Sequence, residues 1–253
     1  MEHRPKIDII FPVLNEHKRL ERGIRQTVEY LDGHKKLTDA ADFTLTIIDN
    51  GSEDDTPEIG RRLEEEFPMV RFMRIEERGV GIAFMTGIKK SSADIIGQMD
   101  IDLSTDIRNL SKVVKIFRDH PEVDYINGTR FSRRSRTVGR KAGRKITSMG
   151  MLFLLKTVFL MRSTDALCGF TWVRKNAAER LAEVTRPERG WFYMVEFLLR
   201  AERMGLRIVD LPVVFTEDYD TTVNVGKTII NYLKNIALLR LSLWKEMFRP
   251  DRT

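Results

Sequence analysis

The first half of the chain alternates between short apolar runs and longer amphipathic segments. Five apolar runs have the length and composition of buried strands: residues 7–14, 43–48, 70–75, 94–100 and 123–128. Between them lie segments with helical spacing, such as residues 17–31, the stretch that opens at Thr56-Pro57, and residues 79–90. Strand–helix alternation with short connections predicts an α/β fold, in which a mostly parallel central sheet carries helices on both faces.

Polar side chains follow three of these runs at the point where each run ends. They are Asn15-Glu16, Asp49, and the pair Asp100 and Asp102. Ligands of open α/β sheets bind outside the carboxyl ends of the strands. Two carboxylates one residue apart would repel each other there, and Mg²⁺ or Mn²⁺ would relieve that repulsion while leaving coordination positions for phosphate oxygens. The pattern therefore predicts a metal-assisted phosphate site at this edge of the sheet.

Three motifs in chain order resemble the signatures of family 2 glycosyltransferases with the GT-A fold: Phe11-Pro12-Val13-Leu14-Asn15-Glu16, Asp49-Asn50-Gly51-Ser52-Glu53-Asp54-Asp55-Thr56 and Met99-Asp100-Ile101-Asp102-Leu103. Asp165-Ala166-Leu167-Cys168-Gly169-Phe170, a helix with Glu196 and Asp210-Leu211-Pro212-Val213 are similar to the branch of dolichol-phosphate mannose and glucose synthases. The resemblance covers residues 7–216. It implies a Rossmann-like GT-A domain over residues 1–216, and a tail with a C-terminal amphipathic helix over residues 217–253 that forms no independent domain.

The resemblance also assigns roles to the first two motifs. Asp49 would accept the imide N–H of a uracil or guanine, while Pro12, Asn15 and Glu16 would cover the nucleoside. Asn50 stands where the family usually has a second acid, which leaves the base open. From the residues alone, Asp49 also fits an ordinary Asn-Gly-Ser turn, and Asn15 with Glu16 fits a helix start.

In the third motif, Asp100 and Asp102 would bind the metal and, through it, the diphosphate. Ser104 stands where relatives of the mannose synthases have a glutamine ligand, so we expect a water molecule in that ligand position. The glucose synthase branch also lacks this glutamine, which favours UDP-glucose slightly over GDP-mannose as the donor.

A small-residue turn, Gly79-Val80-Gly81, precedes the predicted helix over residues 79–90. The amino-terminal end of a helix favours phosphate, and glycines let backbone N–H groups approach it, so Gly79 is a candidate nucleotide-binding residue. A flexible turn before a helix explains the glycines equally well. Phe84 occupies the third glycine position of a dinucleotide fingerprint, which excludes a nicotinamide enzyme.

A strongly basic segment, residues 130–145, contains eight basic residues and no acid. By resemblance, Arg130 and Arg144 would grip the donor and acceptor phosphates, and with Asp102 they form the predicted catalytic set. We expect the rest to be a mobile loop that orders when phosphates bind; a solvated basic loop is the alternative. Only Phe131 interleaves the arginines, so nucleic acid is not an expected partner.

On the acceptor side, the resemblance places Asp165, Gly169, Phe170 and Glu196 in the sugar and acceptor pocket. Relatives that act on hydroxyl groups usually carry a Glu-Asp pair near the helix at residues 191–204, where one acid is the general base. In this chain the stretch Trp191-Phe192-Tyr193-Met194-Val195-Glu196 has Glu196 as its only acid, and the pair Glu217-Asp218 comes after the strand that contains Pro212. A phosphate acceptor is already anionic and needs no base, so the pattern favours a polyprenyl or dolichyl phosphate.

The composition limits the compartment and the partners. A net charge of +6 favours an anionic partner, and the single cysteine, Cys168, suits a reducing compartment and a buried apolar position. The four histidines show no metal-ligand spacing, and the first residues do not resemble a signal peptide. We therefore expect a cytoplasmic protein that is peripheral on the inner face of a membrane.

Two segments could meet that membrane. Residues 149–161 are apolar but too short to span it, and residues 227–249 form a basic amphipathic helix with Ile229, Ile230, Leu233, Ile236, Leu239, Leu243, Trp244 and Phe248. That helix could equally pack on the core or on a second subunit, which leaves a homo-oligomer open.

Taken together, the sequence predicts an inverting, metal-dependent transferase. It would move a hexose from UDP-glucose or GDP-mannose to a polyprenyl or dolichyl phosphate. Two alternatives remain at this point: the same fold acting on a hydroxyl acceptor, and a non-catalytic protein that binds nucleotide sugars.

Overall fold

The computed structural model of the chain describes residues 4–140, 142–217 and 225–247. The strands are β1 Lys6–Val13, β2 Asp42–Asp49, β3 Val70–Arg74, β4 Ile95–Gln98, β5 Tyr125–Thr129, β6 Arg136–Val138, β7 Thr171–Arg174, β8 Ile208–Pro212 and β9 Val214–Thr216. The α-helices are α1 Leu20–Gly33, α2 Lys35–Thr38, α3 Thr56–Glu66, α4 Val80–Lys90, α5 Leu110–Asp119, α6 Ala142–Phe159, α7 Lys175–Val184, α8 Phe192–Arg203 and α9 Val225–Met247. Lys141, Asp218 and the last two residues of the predicted helix 227–249 lie outside the described residues.

The central sheet has the strand order β3-β2-β1-β4-β7-β5-β8. Neighbouring strands pair in parallel, except that β7 runs antiparallel to both β4 and β5. The carboxyl ends of β1, β2 and β4 therefore lie side by side, since Val13 of β1 is in register with Asp49 of β2. This arrangement confirms the predicted α/β class and brings the three polar strand ends to one edge, which we call the rim.

Side chains of each strand alternate between two apolar cores, one on either face of the sheet. In β1, Ile10 packs with α4, α6, α7, α8 and α9, whereas Ile9 and Phe11 pack with α1, α3 and α5. All three are 0% exposed, as the period of two along a strand requires when both faces are covered. The near-continuous apolar runs in the sequence are the direct signature of this double burial.

Two predicted segments differ from the observed elements. The first helix begins at Leu20 rather than at residue 17, because Asn15 adopts a positive φ of 55° and Glu16 closes a turn with Arg19 and Leu20. Asn15 is therefore not a helix cap. The basic segment 130–145 contains β6, which pairs in parallel with β9, so that part of the expected mobile loop has regular structure.

The long C-terminal helix α9 packs some of its apolar side chains into the core and exposes others. Its buried side chains, Tyr232, Ile236, Leu239 and Leu243, join the core that α6 and α8 share. Other apolar side chains of α6 and α9 are exposed, and we call them the outer apolar face: Ile146, Met149, Phe153, Ile230, Leu233, Leu238, Leu241 and Trp244. Within the described part of the chain, no helix is both long enough and apolar enough to span a bilayer.

Candidate active site

Asn15 joins the loops that follow β1 and β2. Its backbone N–H donates to Ser52 Oγ at 2.8 Å, and its side-chain oxygen accepts from the backbone N–H of Glu53 at 2.9 Å. The next residue repeats the pattern, since Glu16 N–H donates to Thr56 Oγ1 at 2.8 Å. The first two motifs therefore build one rigid ledge from two parallel strand ends.

Asp49 and Asn50 lie beneath this ledge and are almost completely buried. Asp49 Oδ1 accepts from Ser52 N–H at 2.9 Å, whereas Oδ2 has no hydrogen-bond partner among the described residues and lies 3.5 Å from Arg74 Nη1. Asn50 joins two loops, because its amide nitrogen donates to Val13 O at 2.7 Å and its amide oxygen accepts from Gly79 N–H at 3.1 Å. Asn50 therefore shapes the loops, and Asp49 is the residue with acceptor capacity to spare.

The third motif turns back sharply after β4 and presents Asp100 and Asp102. Asp102 is held by Ser104, whose backbone N–H donates to Oδ1 at 2.8 Å and whose hydroxyl donates to Oδ2 at 2.7 Å. Leu103 takes a positive φ of 56° to allow this turn. The sequence predicts a water molecule rather than Ser104 in the ligand position, and the Ser104 hydroxyl is bonded to the carboxylate of Asp102, which it orients.

Gly169 lies directly against the carboxylate of Asp100. A Cβ built on Gly169 would lie 2.2 Å from Asp100 Oδ2, which is less than any real contact of that kind. The close approach of Gly169 to Asp100 thus depends on the absence of a side chain at position 169. Phe170, the next residue, is fully buried against Trp172 in the core. Phe170 therefore supports the site from the side of the core.

Burial raises the pKa of Asp100 to about 8, and the charge of Asp102 adds to this effect while Arg130 opposes it. Two carboxylates held together in a partly desolvated place are unfavourable without a counter-charge. Such a pair fits a divalent cation, since Mg²⁺ is typically bound by one or two carboxylates together with substrate phosphates and water. Within the described ranges no cluster of three or more acidic, histidine or cysteine side chains forms a complete metal site. If a cation binds here, Asp100 and Asp102 would supply only part of its coordination shell.

Gly79 begins α4 with a φ of 150° and packs against the loop before α8. A Cβ on Gly79 would lie 2.8 Å from Arg189 Cα, and one on Gly81 would lie 2.3 Å from Glu188 O. The N–H of Val80 donates to Arg189 O at 3.0 Å. With the Gly79 N–H bonded to Asn50, these groups are occupied by protein, so the two glycines serve close packing rather than a free phosphate cradle.

A cavity of about 530 Å³, the rim cavity, opens above these loops. Residues from all three motifs, the basic segment and the loop before α8 line it, among them Pro12, Glu16, Asn50, Gly79, Asp100, Asp102, Arg144, Arg189 and Trp191. Its volume falls in the usual range for small-molecule sites. Asn15 lines a neighbouring cavity instead, together with Glu16 and Asp102. Asp49 remains enclosed below the rim cavity.

A second cavity of about 300 Å³, the side cavity, adjoins the first between α6 and α9. Asp100, Arg144, Trp191 and Glu217 line both cavities. The remaining walls of the side cavity combine basic and hydroxyl groups with apolar groups, including Arg130, Arg140, Ser148, Met151, Met194, Ile229 and Tyr232. The two cavities thus meet beside the acidic pair, which is the arrangement that a transfer between two bound molecules needs.

Arg130 lies in the wall of the side cavity and is held by Asp165. Its Nε donates to Asp165 Oδ2 at 2.8 Å and its Nη2 to Oδ1 at 3.1 Å, in a bidentate pair that is 9% and 0% exposed. Although burial opposes it, the charge of Asp165 keeps the pKa of Arg130 above its ordinary value. Asp165 was predicted as a wall of the sugar pocket; its carboxylate is instead enclosed and orients Arg130.

Glu196 differs from its predicted place in the acceptor pocket. Its side chain is fully buried, accepts from Arg186 Nε at 2.8 Å and from Arg200 Nε at 2.9 Å, and lies outside the walls of both cavities. Arg200 also contacts Glu246 of α9. The physical reason is that α8 is buried on all sides, so an acid within it must be paired with arginines. Arg200 therefore links Glu196 of α8 to Glu246 of α9.

The prediction for Cys168 is confirmed. Its side chain is buried, and burial raises the pKa of the thiol to about 12, which makes it an inert packing residue. Among the residues at the site that were not predicted from the sequence, Trp191 and Glu217 have the most central positions. Trp191 lines both cavities, and Glu217, which follows β9, lies between them. The acidic pair that begins at Glu217 was visible in the sequence, but its distance from the other motifs concealed its place.

Comparison with known proteins identifies a family whose sequence profile matches the chain. The profile described as Glycosyl transferase family 2 matches residues 8–182, which is more than half of the chain. The chain belongs to this family. It is a glycosyltransferase with a GT-A-like fold, as the three motifs and the sheet predict.

Two curated relatives are similar over almost the whole chain. Glycosyltransferase AglD of Haloferax volcanii is 29% identical over 249 residues, which are 98% of this chain but only 38% of that protein. A dolichyl-phosphate beta-glucosyltransferase of Trichomonas vaginalis is 25% identical over 248 residues, covering 94% of this chain and 75% of the relative. The chain therefore spans well under half of the first relative and three quarters of the second.

Solved structures support the fold at lower identity. Glucosyl-3-phosphoglycerate synthase from Mycobacterium tuberculosis in complex with uridine diphosphate has a TM-score of 0.67 at 18% identity, covering 94% of this chain and 79% of that one. The same enzyme in complex with Mn²⁺, uridine diphosphate and glucosyl-3-phosphoglycerate has a TM-score of 0.66 at 16% identity, with the same coverage. At this identity the likeness shows the architecture.

Proposed function

We propose that the protein transfers a hexose from a nucleotide sugar to a polyprenyl or dolichyl phosphate, with inversion at the anomeric carbon. The observation that carries this proposal is the junction of the two cavities at Asp100 and Arg144. The rim cavity would hold the nucleotide sugar, and the side cavity would hold the acceptor phosphate. The apolar side chains of the side cavity would contact the part of the lipid chain that is nearest to the phosphate.

The donor would be UDP-glucose rather than GDP-mannose. Asp49 Oδ2 is a buried acceptor without a hydrogen-bond partner among the described residues, and it would accept the imide N–H of either base, so the choice of donor rests on Ser104 and on the relatives. Ser104 bonds to Asp102 and does not replace the glutamine ligand of the mannose synthases. The dolichyl-phosphate beta-glucosyltransferase among the relatives supports the same choice.

Asp100 and Asp102 would hold Mg²⁺ or Mn²⁺, which supplies positive charge to the departing nucleoside diphosphate. Solved structures of a fold neighbour that contain Mn²⁺ and uridine diphosphate support this cofactor. Gly169 and Ser104 fix the positions of these two carboxylates. Residues from two different segments thus restrict the positions of the two carboxylates.

The acceptor phosphate would attack the anomeric carbon directly, without a general base. Asp165 and Glu196, the acids predicted for this pocket, are both bonded to arginines and cannot take a proton from a hydroxyl group. Arg130, Arg140 and Arg144 line the side cavity and would neutralise the phosphate. Without this neutralisation the acceptor phosphate and the donor diphosphate would repel each other. Two like unit charges at ~4 Å and an effective dielectric of ~20 repel by about 4 kcal/mol.

The outer apolar face supports contact with a membrane surface. It combines Trp244 and several aliphatic side chains with Lys234, Arg240 and Lys245 on the same helix, a pattern typical of helices that lie in the headgroup layer. The side cavity opens between the same two helices. We therefore propose that the protein is peripheral on the inner face of a membrane and takes its acceptor from the bilayer.

The decisive experiment measures transfer of radiolabelled glucose from UDP-glucose to dolichyl phosphate in detergent with Mn²⁺. We expect product that extracts into organic solvent with the wild type, and at least a hundredfold loss with Asp102→Asn. Asp39→Asn, an exposed change of the same kind directly after α2, is the matched control. Full turnover with Asp102→Asn, or transfer only to hydroxyl acceptors, would contradict the proposal.

Membrane contact has its own test. The wild type should co-sediment with vesicles that contain anionic lipid. The double change Phe153→Glu with Leu241→Glu should reduce the fraction of protein bound to the vesicles at least tenfold. Val184→Glu, at an exposed apolar position of α7, should leave binding unchanged. Equal binding by all three proteins would contradict a membrane role for the outer apolar face.

A further inference from the structure

Glu217 occupies the position between the two cavities where an anion would meet the basic segment. Its carboxylate accepts a hydrogen bond from Arg144 Nη1, and its Oε2 lies 3.9 Å from Arg140 Nε. The side chain is only 10% exposed. It lines both cavities together with Asp100 and Arg144. The arginines that face the side cavity thus already have a carboxylate in front of them.

The backbone of Glu217 is fixed on two sides. Its N–H donates to Val138 O of β6 at 3.0 Å, and the N–H of the preceding Thr216 donates to Ser104 O at 2.8 Å. The residue is therefore attached both to the basic segment and to the loop that carries Asp102. Rotation about the side-chain bonds of Glu217 would move the carboxylate without moving the backbone.

Arg140 is poorly satisfied by this carboxylate. Its side chain is 8% exposed, its Nη2 donates to Ser148 Oγ at 2.6 Å, and its guanidinium lies 5.1 Å from the ring centroid of Phe131. Its Nε has no hydrogen-bond partner among the described residues. A buried N–H group without an acceptor is unfavourable. Arg140 is thus held in place with one donor still available for a ligand in the side cavity.

A phosphate group fits this arrangement better than the carboxylate does. A carboxylate has two oxygens in one plane, and here it reaches Arg144 but not Arg140 Nε. A phosphate monoester offers three oxygens in a tetrahedron and up to two negative charges, so it can bond to both guanidinium groups at once. Phosphate should therefore win the competition for the arginines, whereas a neutral hydroxyl group should not.

We propose that Glu217 is a tethered carboxylate that fills the anion position of Arg140 and Arg144 until the phosphate of the acceptor displaces it. Glu217 thereby restricts the side cavity to acceptors that carry a phosphate group. The inference rests on the proposed function for the identity of the acceptor. The displacement itself concerns only the phosphate group and the two arginines, so it can be measured without turnover.

The test is isothermal titration of the full chain with geranyl phosphate and, separately, with inorganic phosphate, both in EDTA. Glu217→Gln removes the competing charge and keeps the side-chain size, so we expect it to bind both ligands at least fivefold more tightly than the wild type. An equal gain for the two ligands locates the effect at the phosphate group rather than at the lipid chain. Glu179→Gln, which changes the net charge equally on exposed α7, should bind like the wild type.

Two further variants test the partner of Glu217. Glu217→Asp has a shorter side chain that cannot reach Arg144 as well, so its phosphate affinity should lie between those of the wild type and Glu217→Gln. In an Arg144→Gln background the gain from Glu217→Gln should fall below twofold, because the principal contact is already lost. A gain that persists unchanged in that background would overturn the proposal.

Other outcomes would also overturn it. Glu217→Gln with unchanged or weaker phosphate affinity would mean that the carboxylate does not compete. A gain confined to UDP with Mn²⁺ would place the displaced anion on the donor side, and weaker Mn²⁺ binding by the variant would identify Glu217 as a metal ligand. Failure of glucose transfer with the binding gain intact would contradict the proposed function and leave the displacement standing.

Discussion

The rim at β1, β2 and β4 and the walls contributed by β5 to α9 are built in different ways. At the rim, hydrogen bonds between neighbouring loops, many of them donated by backbone N–H groups, fix the loops, as in the contacts of Asn15 with Ser52 and Glu53. In the second region, arginine–carboxylate pairs from distant segments hold the walls, such as Arg130 with Asp165 and Arg144 with Glu217. The loops at the rim are therefore held by hydrogen bonds between neighbouring strand ends, whereas the walls of the second region depend on pairs of opposite charge.

This difference predicts different consequences of mutation. A change at the rim should remove a ligand contact while the fold survives, because each polar group there has neighbours that hold the loop. A change in the charged region should leave an uncompensated charge inside the protein. Four substitutions sharpen this comparison, and they are described from the largest expected effect to the smallest.

Asp165→Asn should destabilise the protein by about 3–5 kcal/mol, because it leaves Arg130 buried without its counter-charge. Urea denaturation followed by circular dichroism measures this loss. Glu66→Gln removes an acid from an exposed pair with Arg25 and should cost less than about 1 kcal/mol. If the two variants were equally stable, the buried pair would not hold the wall of the side cavity.

Gly169→Ala should lower kcat/KM for glucose transfer by about a hundredfold, since a displacement of about 1 Å at a reacting group can cost this much. The new Cβ would lie 2.2 Å from Asp100 Oδ2 and must push the carboxylate away. Gly33→Ala, where a Cβ meets nothing within 4 Å, is the control. Normal activity of Gly169→Ala would show that the position of Asp100 is not critical.

Ser104→Ala should weaken Mn²⁺ affinity about tenfold, the lower end of the effect of removing a group that orients a metal ligand. The variant loses the hydroxyl bond to Asp102 Oδ2 but keeps the backbone bond to Oδ1. Calorimetric titration with Mn²⁺ in the presence of UDP measures the change. Ser111→Ala removes an exposed hydroxyl on α5 and should not alter it; a larger loss with Ser111→Ala would refute the assignment.

Asp8 tests charge burial on β1 at the end opposite the rim. Burial raises the pKa of Asp8, although Ser91, Thr46 and Lys175 lower it in part. A raised pKa means that the stabilising contribution is complete below the ordinary value of 3.8 and is lost as the pH rises through the folded-state pKa.

Asp8→Asn should therefore match the wild type at pH 3 and become slightly more stable as the pH rises to 8. Thermal melts across this range measure the difference. A variant that is less stable than the wild type at pH 8 would indicate that the charged carboxylate is favourable through Lys175. The result shows whether ionisation of this buried acid, at the end of β1 opposite the rim, costs stability.

The ends of most predicted strands lie within one or two residues of the observed ones, because apolar runs that are buried on both faces leave a clear local pattern. Strand β7 was not predicted. It is a four-residue element whose antiparallel place between β4 and β5 follows only from pairing. The candidate site divides in the same way. Asp100 and Asp102 were placed correctly at the rim from their position after a strand, whereas Glu196 was assigned to a pocket that it does not line.

By itself, the sequence determined the α/β class, the edge at which ligands would bind and the acidic pair there, since these depend on residue spacing and on where strands end. Only the tertiary structure decided which acids are available. Asp165 lies 35 positions from Arg130, and Glu217 lies 73 positions from Arg144. Pairing across such separations is set by how the sheet and α6 pack, and charge interactions depend on distance in space rather than along the chain.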